Sequence, residues 1–492
     1  MKKHFLFLIL IILSFPLSAE EESVFIINSY TYYVTGMTKP FALNYIAGFY
    51  EGQEITGLNN LELFIQEKTR ILLNERVLES VRIDYIVGAS QNDGKLPVDI
   101  FIHVKDTWNI MVLPYPQYSS NSGFSLTLKA RDYNFLGLMA PLRIDLGYSF
   151  DQNRQHFFNL MIDSNFPFTA FGLNWNADFD HEIIYRPNLS EPWFYRNTTG
   201  ISVELPFRRT VFTFGFSESF IVNEEYSSGS VQEGLYMSSR PYTSWRIPTG
   251  LRFYDINEFI YSASVSATFN HEFPRWPLID SRKGPYLSFS HSFGVGRVDW
   301  IENFRRGLSL SARNSFTYDF FSLRSDLKPW SADLNITAAA YLKLTDFWGL
   351  YTRIMYRHWF FDDYSSSAGD VLRGVLDNWV SSNFMLSINV DIPFRVLKFR
   401  PSQWFPNRRF FRPFDFDLHV SPFFDLALFN NPKDEREYFG LENMLFTVGI
   451  EAIIFPIRWR SLFLRISYGR NLSFAHTMRG GGELFVGMEL HY

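Results

Sequence analysis

The sequence predicts a membrane all-β protein: an antiparallel transmembrane β-barrel of about 16 strands, preceded by one small α/β domain. Three observations carry that prediction. First, the chain ends in strict alternation, with Leu484, Val486, Met488, Leu490 and Tyr492 on one face and Glu483, Phe485, Gly487, Glu489 and His491 on the other. This is the period of a strand with apolar surroundings on one side, and its aromatic end suits a membrane interface. Second, aromatic residues make up 18% of the chain, with 53 Phe, 26 Tyr and 12 Trp, yet the mean hydropathy is only -0.09, so apolar and polar residues are interleaved. Third, alternating stretches separated by turn clusters recur from Trp108 onward.

Other classes are disfavoured by the same composition. Past the N-terminus no apolar run approaches the roughly 18 residues of a membrane helix. The net charge is -5 without blocks of like charge, so no nucleic acid partner is expected. Zero Cys removes thiol catalysis, disulfides, zinc thiolates and lipid attachment at a processed Cys. No metal-ligand spacing, nucleotide-binding glycine pattern or nucleophile–base arrangement stands out, so neither cofactor, metal nor enzyme activity is expected.

At the N-terminus, Lys2 and Lys3 precede the apolar run Phe5 to Phe15, and Leu17-Ser18-Ala19 precedes Glu20. Residues 1–19 read as a cleavable secretory signal. Residues 24–107 form the small domain. An extended segment, Phe25 to Val34, is followed by a short helix near Phe41 to Phe49. A longer helix is expected from Leu58, Leu61, Phe64, Ile65, Ile71 and Leu72 at helical spacing, continuing or restarting through Val77 and Leu78. Val81 to Val87 and Val98 to Val104 alternate as strands around a turn at Gln91-Asn92-Asp93-Gly94. Strand, helix, helix, strand, strand in about 80 residues before a barrel resembles a single POTRA domain, whose sheet edge can take up an extended peptide by strand addition.

Residues 108–492 form the barrel. Leu142 to Phe150, Leu334 to Leu344, Met444 to Ala452 and Leu462 to Tyr468 alternate, with Arg143, Asp145, Asp333, Asn335, Glu451 and Arg465 at intervening positions. About 385 residues at roughly 24 per strand and loop give about 16 strands, the expectation adopted here, although as many as about 18 candidate stretches can be marked.

Within the barrel, Leu372-Arg373-Gly374 lies in a long loop before Phe384, Leu386, Ile388, Val390 and Ile392, which alternate with the inward-facing Asn389 and Asp391. The next strand turns Asp415, Asp417, His419, Phe423 and Asp425 inward. An arginine whose planar fork binds carboxylates bidentately, and which stays charged when desolvated, can tether such a loop to two neighbouring strands.

At these residues the chain resembles the BamA/TamA superfamily of outer-membrane assembly factors, the bacterial surface antigen type. The resemblance implies that Arg373-Gly374 is a loop tip folded into the lumen against Asp391 and Asp425, with five strands following it. Asp132-Tyr133-Asn134-Phe135-Leu136-Gly137 resembles the Asn-x-Leu-Gly turn of that family, and the C-terminal strand resembles the targeting signal of such barrels. Val375, Asp391 and Ala427 depart from the family's aromatic, Glu and Gly, which implies looser docking. Arg479-Gly480 and Arg306-Gly307 also carry the dipeptide, but too late and too early in the strand order.

A closed barrel pairs its first strand, near Ile110 to Ser119, with its last. Pro114 and Pro116 cannot donate to a ladder, so this seam is expected to hold few hydrogen bonds and to part sideways. Alternatively, the two prolines mark a bend. Leu397 to Phe414, with Lys398, Arg400, Arg408, Arg409 and Arg412 among Trp404, Phe405, Phe410 and Phe411, reads as an interfacial collar or an anionic-lipid contact. The resemblance implies a protein of the bacterial outer membrane, its POTRA-like domain in the periplasm, that inserts unfolded outer-membrane protein clients. Outer-membrane lipid and periplasmic accessory proteins are its implied partners. The alternatives are a polypeptide-secreting transporter of the two-partner-secretion kind and a passive porin.

Overall fold

A computed structural model describes residues 23–75, 77–89, 94–119, 123–150, 155–187, 192–225, 232–251, 259–275, 278, 284–321, 328–360, 366–367, 371–375, 381–405, 414–430, 444–457, 463–473 and 482–487. The expected signal, the tip of the 91–94 turn, Arg408, Arg409, Phe410, Phe411, Arg412, Arg479-Gly480, Met488, Leu490 and Tyr492 lie outside the described residues. The chain divides into two compact units, the first ending at Asp106 and the second beginning at Thr107.

The N-terminal unit contains β1 (Val24–Thr35), α1 (Pro40–Ala47), β2 (Glu54–Thr56), α2 (Leu58–Asn74), β3 (Leu78–Val87) and β4 (Leu96–Asp106). Pro40 opens α1, where a missing N–H costs nothing, and Gly48 closes it in the left-handed region with φ 63. Helix α2 buries Leu61, Ile65 and Leu72 along one stripe. Ile27, Leu43, Phe49, Val98, Ile100 and Ile102 of the same unit are buried as well.

The sheet order is β2-β1-β4-β3, with β1 parallel to β4. Two details differ from the expectation. Strand β2, three residues long, carries no periodic signal and forms by pairing Glu54–Thr56 with Val24–Ile26. Helix α2 also stops at Asn74, and Leu78 already belongs to β3, because the apolar spacing of Val77 and Leu78 serves the sheet side of the core.

The second unit is a closed antiparallel barrel. Its first half is β5 (Ile110–Ser119), β6 (Gly123–Asp132), β7 (Leu142–Phe150), β8 (His156–Ala170), β9 (Leu173–Tyr185), β10 (Trp193–Phe207), β11 (Thr210–Glu225), β12 (Gln232–Pro248) and β13 (Ile260–Glu272). There follow β14 (Tyr286–Ile301), β15 (Phe304–Asp319), β16 (Trp330–Lys343) and β17 (Gly349–Phe360). The short β18 (Ser366–Ser367) and β19 (Ser381–Ser382) pair with each other beside the wall. The wall resumes with β20 (Phe384–Asp391), β21 (Phe394–Phe399), β22 (Phe416–Asn430), β23 (Met444–Pro456), β24 (Leu464–Asn471) and β25 (Gly482–Gly487), with α3 (Pro401–Trp404) between β21 and β22. Both β20 and β21 pair β22, forming one strand interrupted at Pro393.

The barrel therefore has 18 strands, not about 16. The estimate erred in its divisor. At one end the connections are very tight: Phe171-Gly172, Arg208-Arg209 and Glu302-Asn303 each join long neighbouring strands, so the true repeat is shorter than the one assumed.

The strand faces differ sharply. Leu126, Leu128, Leu146, Phe214, Phe216, Leu308, Leu310, Ile450 and Ile466 are exposed on the outer face. Asn389, Asp391, Asp417, His419, Asp425, Glu451 and Arg465 are buried on the inner one. An outer face this apolar matches hydrocarbon rather than water. Among the described residues no helix is long and apolar enough to cross a membrane.

Candidate functional site

The inner faces of the last five wall strands hold a cluster built around one loop arginine. Period two sets which side chains point in: Ser387, Asn389 and Asp391 on β20; Asp417, His419, Ser421, Phe423 and Asp425 on β22; Thr447 and Glu451 on β23; Arg465 and Ser467 on β24. The loop residues Val371 to Val375 enter from the side and are buried.

Arg373 engages Asp425 through both arms of its fork. Its Nε donates to Oδ2 at 2.9 Å and its Nη2 to Oδ1 at 2.7 Å, while its backbone N–H also donates to Oδ2 at 3.0 Å. Nη1 donates to Asp391 Oδ1 at 2.7 Å and lies 3.7 Å from Glu451 Oε2. The guanidinium stacks 3.6 Å above the ring of Phe423. Asp425 is fully buried and Arg373 nearly so, making this a desolvated ion pair whose remaining donors and acceptors are matched.

Gly374 carries the contact onward. Its φ is 88, in the left-handed region, and its N–H donates to Glu483 Oε2 on β25 at 3.0 Å. Val371, Leu372 and Val375 pack with Met355, Met385, Ala427, Phe429 and Leu445 in a buried apolar cluster. Val375 and Ala427, which suggested loose docking, are instead part of this packing, because Val375 occupies the cluster and Ala427 supplies a small wall beside it. Asn389 Nδ2 adds a hydrogen bond to the Val371 carbonyl at 2.9 Å.

A ladder of contacts leads from Arg373 to the seam. Glu451 accepts a hydrogen bond from Arg465 Nη1 at 3.3 Å, and the Arg465 guanidinium lies 4.1 Å from the ring of Phe485 on β25. Phe485 is paired in register with Ser119 of β5. Glu451, Arg465, Gly469, Glu483 and Phe485 were not singled out as site residues from the sequence. Their signal was parity alone: each lies on the inward face of its strand, but parity does not reveal depth in the barrel.

At the seam β25, described to Gly487, meets β5 at Phe485–Ser119 and Val486–Tyr118, and β5 pairs β6 from Ile110 to Ser119. Pro114 and Pro116 pair with Leu128 and Leu126 of β6. Leu484 points outward and is exposed. In the expected collar, Arg400 is bound to Asp417, Ser402 N–H donates to Asp415 at 3.0 Å, and Trp404 and Phe405 are exposed. Asn134 is buried in the turn after β6, where its Oδ1 accepts the Met139 N–H at 2.8 Å.

Among the described residues no group of His, Cys, Asp and Glu could hold a metal ion. No protein-family model matches the sequence, and no curated protein matches it. Among solved structures, CdiB from Acinetobacter baumannii is similar at a TM-score of 0.46 and 12% identity, over 94% of this chain and 74% of that one. CdiB from Escherichia coli gives 0.43 and 10%, over 96% and 92%. In fold, the chain is also similar to BamA from Haemophilus ducreyi lacking POTRA domains 1–3, at a TM-score of 0.42 and 14% identity, over 94% of this chain and 84% of that one.

Proposed function

We propose that this chain is a bacterial outer-membrane assembly factor of the BamA/TamA kind, which inserts unfolded outer-membrane proteins through the seam between β25 and β5. Residues 24–107 act in the periplasm as a POTRA-like domain. No chemical step or cofactor is involved; the work is strand exchange and local thinning of lipid.

One observation carries the reading. The barrel closes between β25 and β5, and β5 carries Pro114 and Pro116, neither of which can donate to a ladder, so this closure has fewer backbone donors to offer than a proline-free strand. Parting this closure would bare a strand edge beside lipid, which is costly because unpaired backbone groups cannot be satisfied there, and a client strand would relieve that cost.

The test is depletion of the protein in its own host with quantification of the outer-membrane proteome. A broad or selective fall in other barrel proteins is expected. Loss of a single secreted polypeptide with normal barrel levels would replace this reading with a secretion transporter. Altered small-solute uptake with an unchanged proteome would replace it with a porin.

A further inference from the structure

The hairpin of β14 and β15 does not stay in the wall. Among the described residues, β14 pairs β13 only as far as Gly294 and β15 pairs β16 only from Gly307, yet the two remain paired with each other to Ile301–Phe304. The hairpin leaves the wall at Gly296 and Gly307, whose φ values are 135 and 138. A Cβ on Gly296 would collide with Leu308 and Ser309 backbone, and one on Gly307 with the Arg297 carbonyl. Both positions need glycine, and they sit close together on the paired strands, Gly296 opposite Ser309 and Gly307 opposite Val298, so both strands can bend at the same level.

Beyond the hinge the tip docks on inward-facing residues of distant strands. Asn303 Nδ2 donates to Asp417 Oδ2 at 2.8 Å on β22, although β16, β17 and β20–β21 separate β15 from β22 in the wall. Phe304 is fully buried, its ring 4.6 Å from that of His419. Trp300 reaches Phe455 on β23 at 6.2 Å and Phe463 at 5.6 Å. The Arg305 N–H donates to the Tyr351 hydroxyl at 2.8 Å, and its guanidinium to Tyr341 at 3.2 Å. Glu302 pairs with Lys343 at 3.3 Å and Arg395 at 3.4 Å. The tip thus spans the inside of the barrel at the end where the chain enters β5. It shares β22 with the Arg373 loop, and Tyr351 stands opposite Asp391 in the β17–β20 register.

We propose that residues 297–306 are a hinged plug that obstructs the lumen and swings out about Gly296 and Gly307 when the lumen is to be occupied or to conduct. An 18-stranded barrel is wide enough to leave an aqueous channel unless something fills it. The tip is held by a few polar bonds and stacked rings, a set weak enough to release as a unit. This inference rests on the hairpin geometry and stands whether or not the seam inserts clients.

The test is single-channel current through the purified full-length protein in planar lipid bilayers. The chain has no native Cys, so an Asn303→Cys, Asp417→Cys pair can be joined by a short bis-methanethiosulfonate crosslinker, each thiolate displacing a sulfinate, and compared with the same protein left unjoined. The joined form is expected to lose at least tenfold in open-channel events. A second variant, with residues 298–305 replaced by a two-residue turn, is expected to be open most of the time while keeping the heat-modifiable mobility of a folded barrel. Equal currents from joined and unjoined protein, or a folded hairpin-shortened barrel that conducts no more than the parent, would overturn the plug.

Discussion

Gly374 and Gly469 touch backbone to backbone. A Cβ on Gly374 would lie 2.7 Å from the Gly469 carbonyl carbon, and one on Gly469 would lie 2.9 Å from the Gly374 nitrogen. The loop tip can therefore reach the last strands only because β24 offers a position without a side chain. Gly469→Val is expected to expel the tip, since the obstructing atoms are backbone and cannot rotate away. Limited proteolysis on intact cells should show new cleavage near Arg373, with the barrel still folded by heat-modifiable mobility. An uncut loop in that variant would mean the tip docks elsewhere.

Arg373→Ala leaves Asp425 and Asp391 buried without their cation, an arrangement that typically costs about 3–5 kcal/mol. Arg373→Lys keeps the charge but loses the fork that spans both oxygens of Asp425, and should recover only part of that loss. A double-mutant cycle of Arg373→Ala with Asp425→Ala, read by urea unfolding in detergent, should give a coupling energy of at least about 1 kcal/mol. Additivity would show that the pair is not energetically linked.

Tyr118 and Val486 are register partners across the seam. Paired strand positions lie within the roughly 4.4–6.8 Å between Cα atoms that a disulfide spans, so Tyr118→Cys with Val486→Cys should close under oxidation. The oxidised form should fail to assemble client barrels in reconstituted vesicles, and reduction should restore assembly. Full activity of the oxidised form would rule out lateral opening.

In the N-terminal unit, hydrogen bonds from Ser29 and then Asn28 hold the Asp99 carboxyl below its usual range. A depressed folded value means this contribution is present above the unfolded carboxylate range near about pH 4 and is lost as pH falls through the folded value. Hydrogen exchange of β1 and β4 between pH 5 and 3 should therefore show a loss of protection that Asp99→Asn flattens. An identical profile in the variant would assign the acid response to another group.

The barrel was readable from the sequence because its two faces alternate without interruption over long strands, as at Leu334 to Leu344. Asp391 and Asp425 could be singled out because they fall on the inward parity of consecutive strands after a loop arginine. The strand number was not readable, since tight turns such as Phe171-Gly172 leave almost no loop to count. Neither was the departure of the β14–β15 hairpin. Trp300, Phe304 and Arg305 continue the same alternation as the wall, and only the neighbouring glycines Gly296 and Gly307 hinted at a bend. Glu483 read as one polar residue of a terminal strand because its partner, the Gly374 N–H, is brought to it from a segment more than a hundred positions earlier.

The Arg373 loop fastens to β20, β22, β23, β24 and β25 together, through Asp391, Asp425, Glu451, Gly469 and Glu483. Sheets shear by sliding one strand past the next, and a strap clipped to five of them resists that sliding. These strands thus behave as a stiff panel that ends at β25. The compliance for any sideways parting must come from the opposite margin, where β5 carries two prolines.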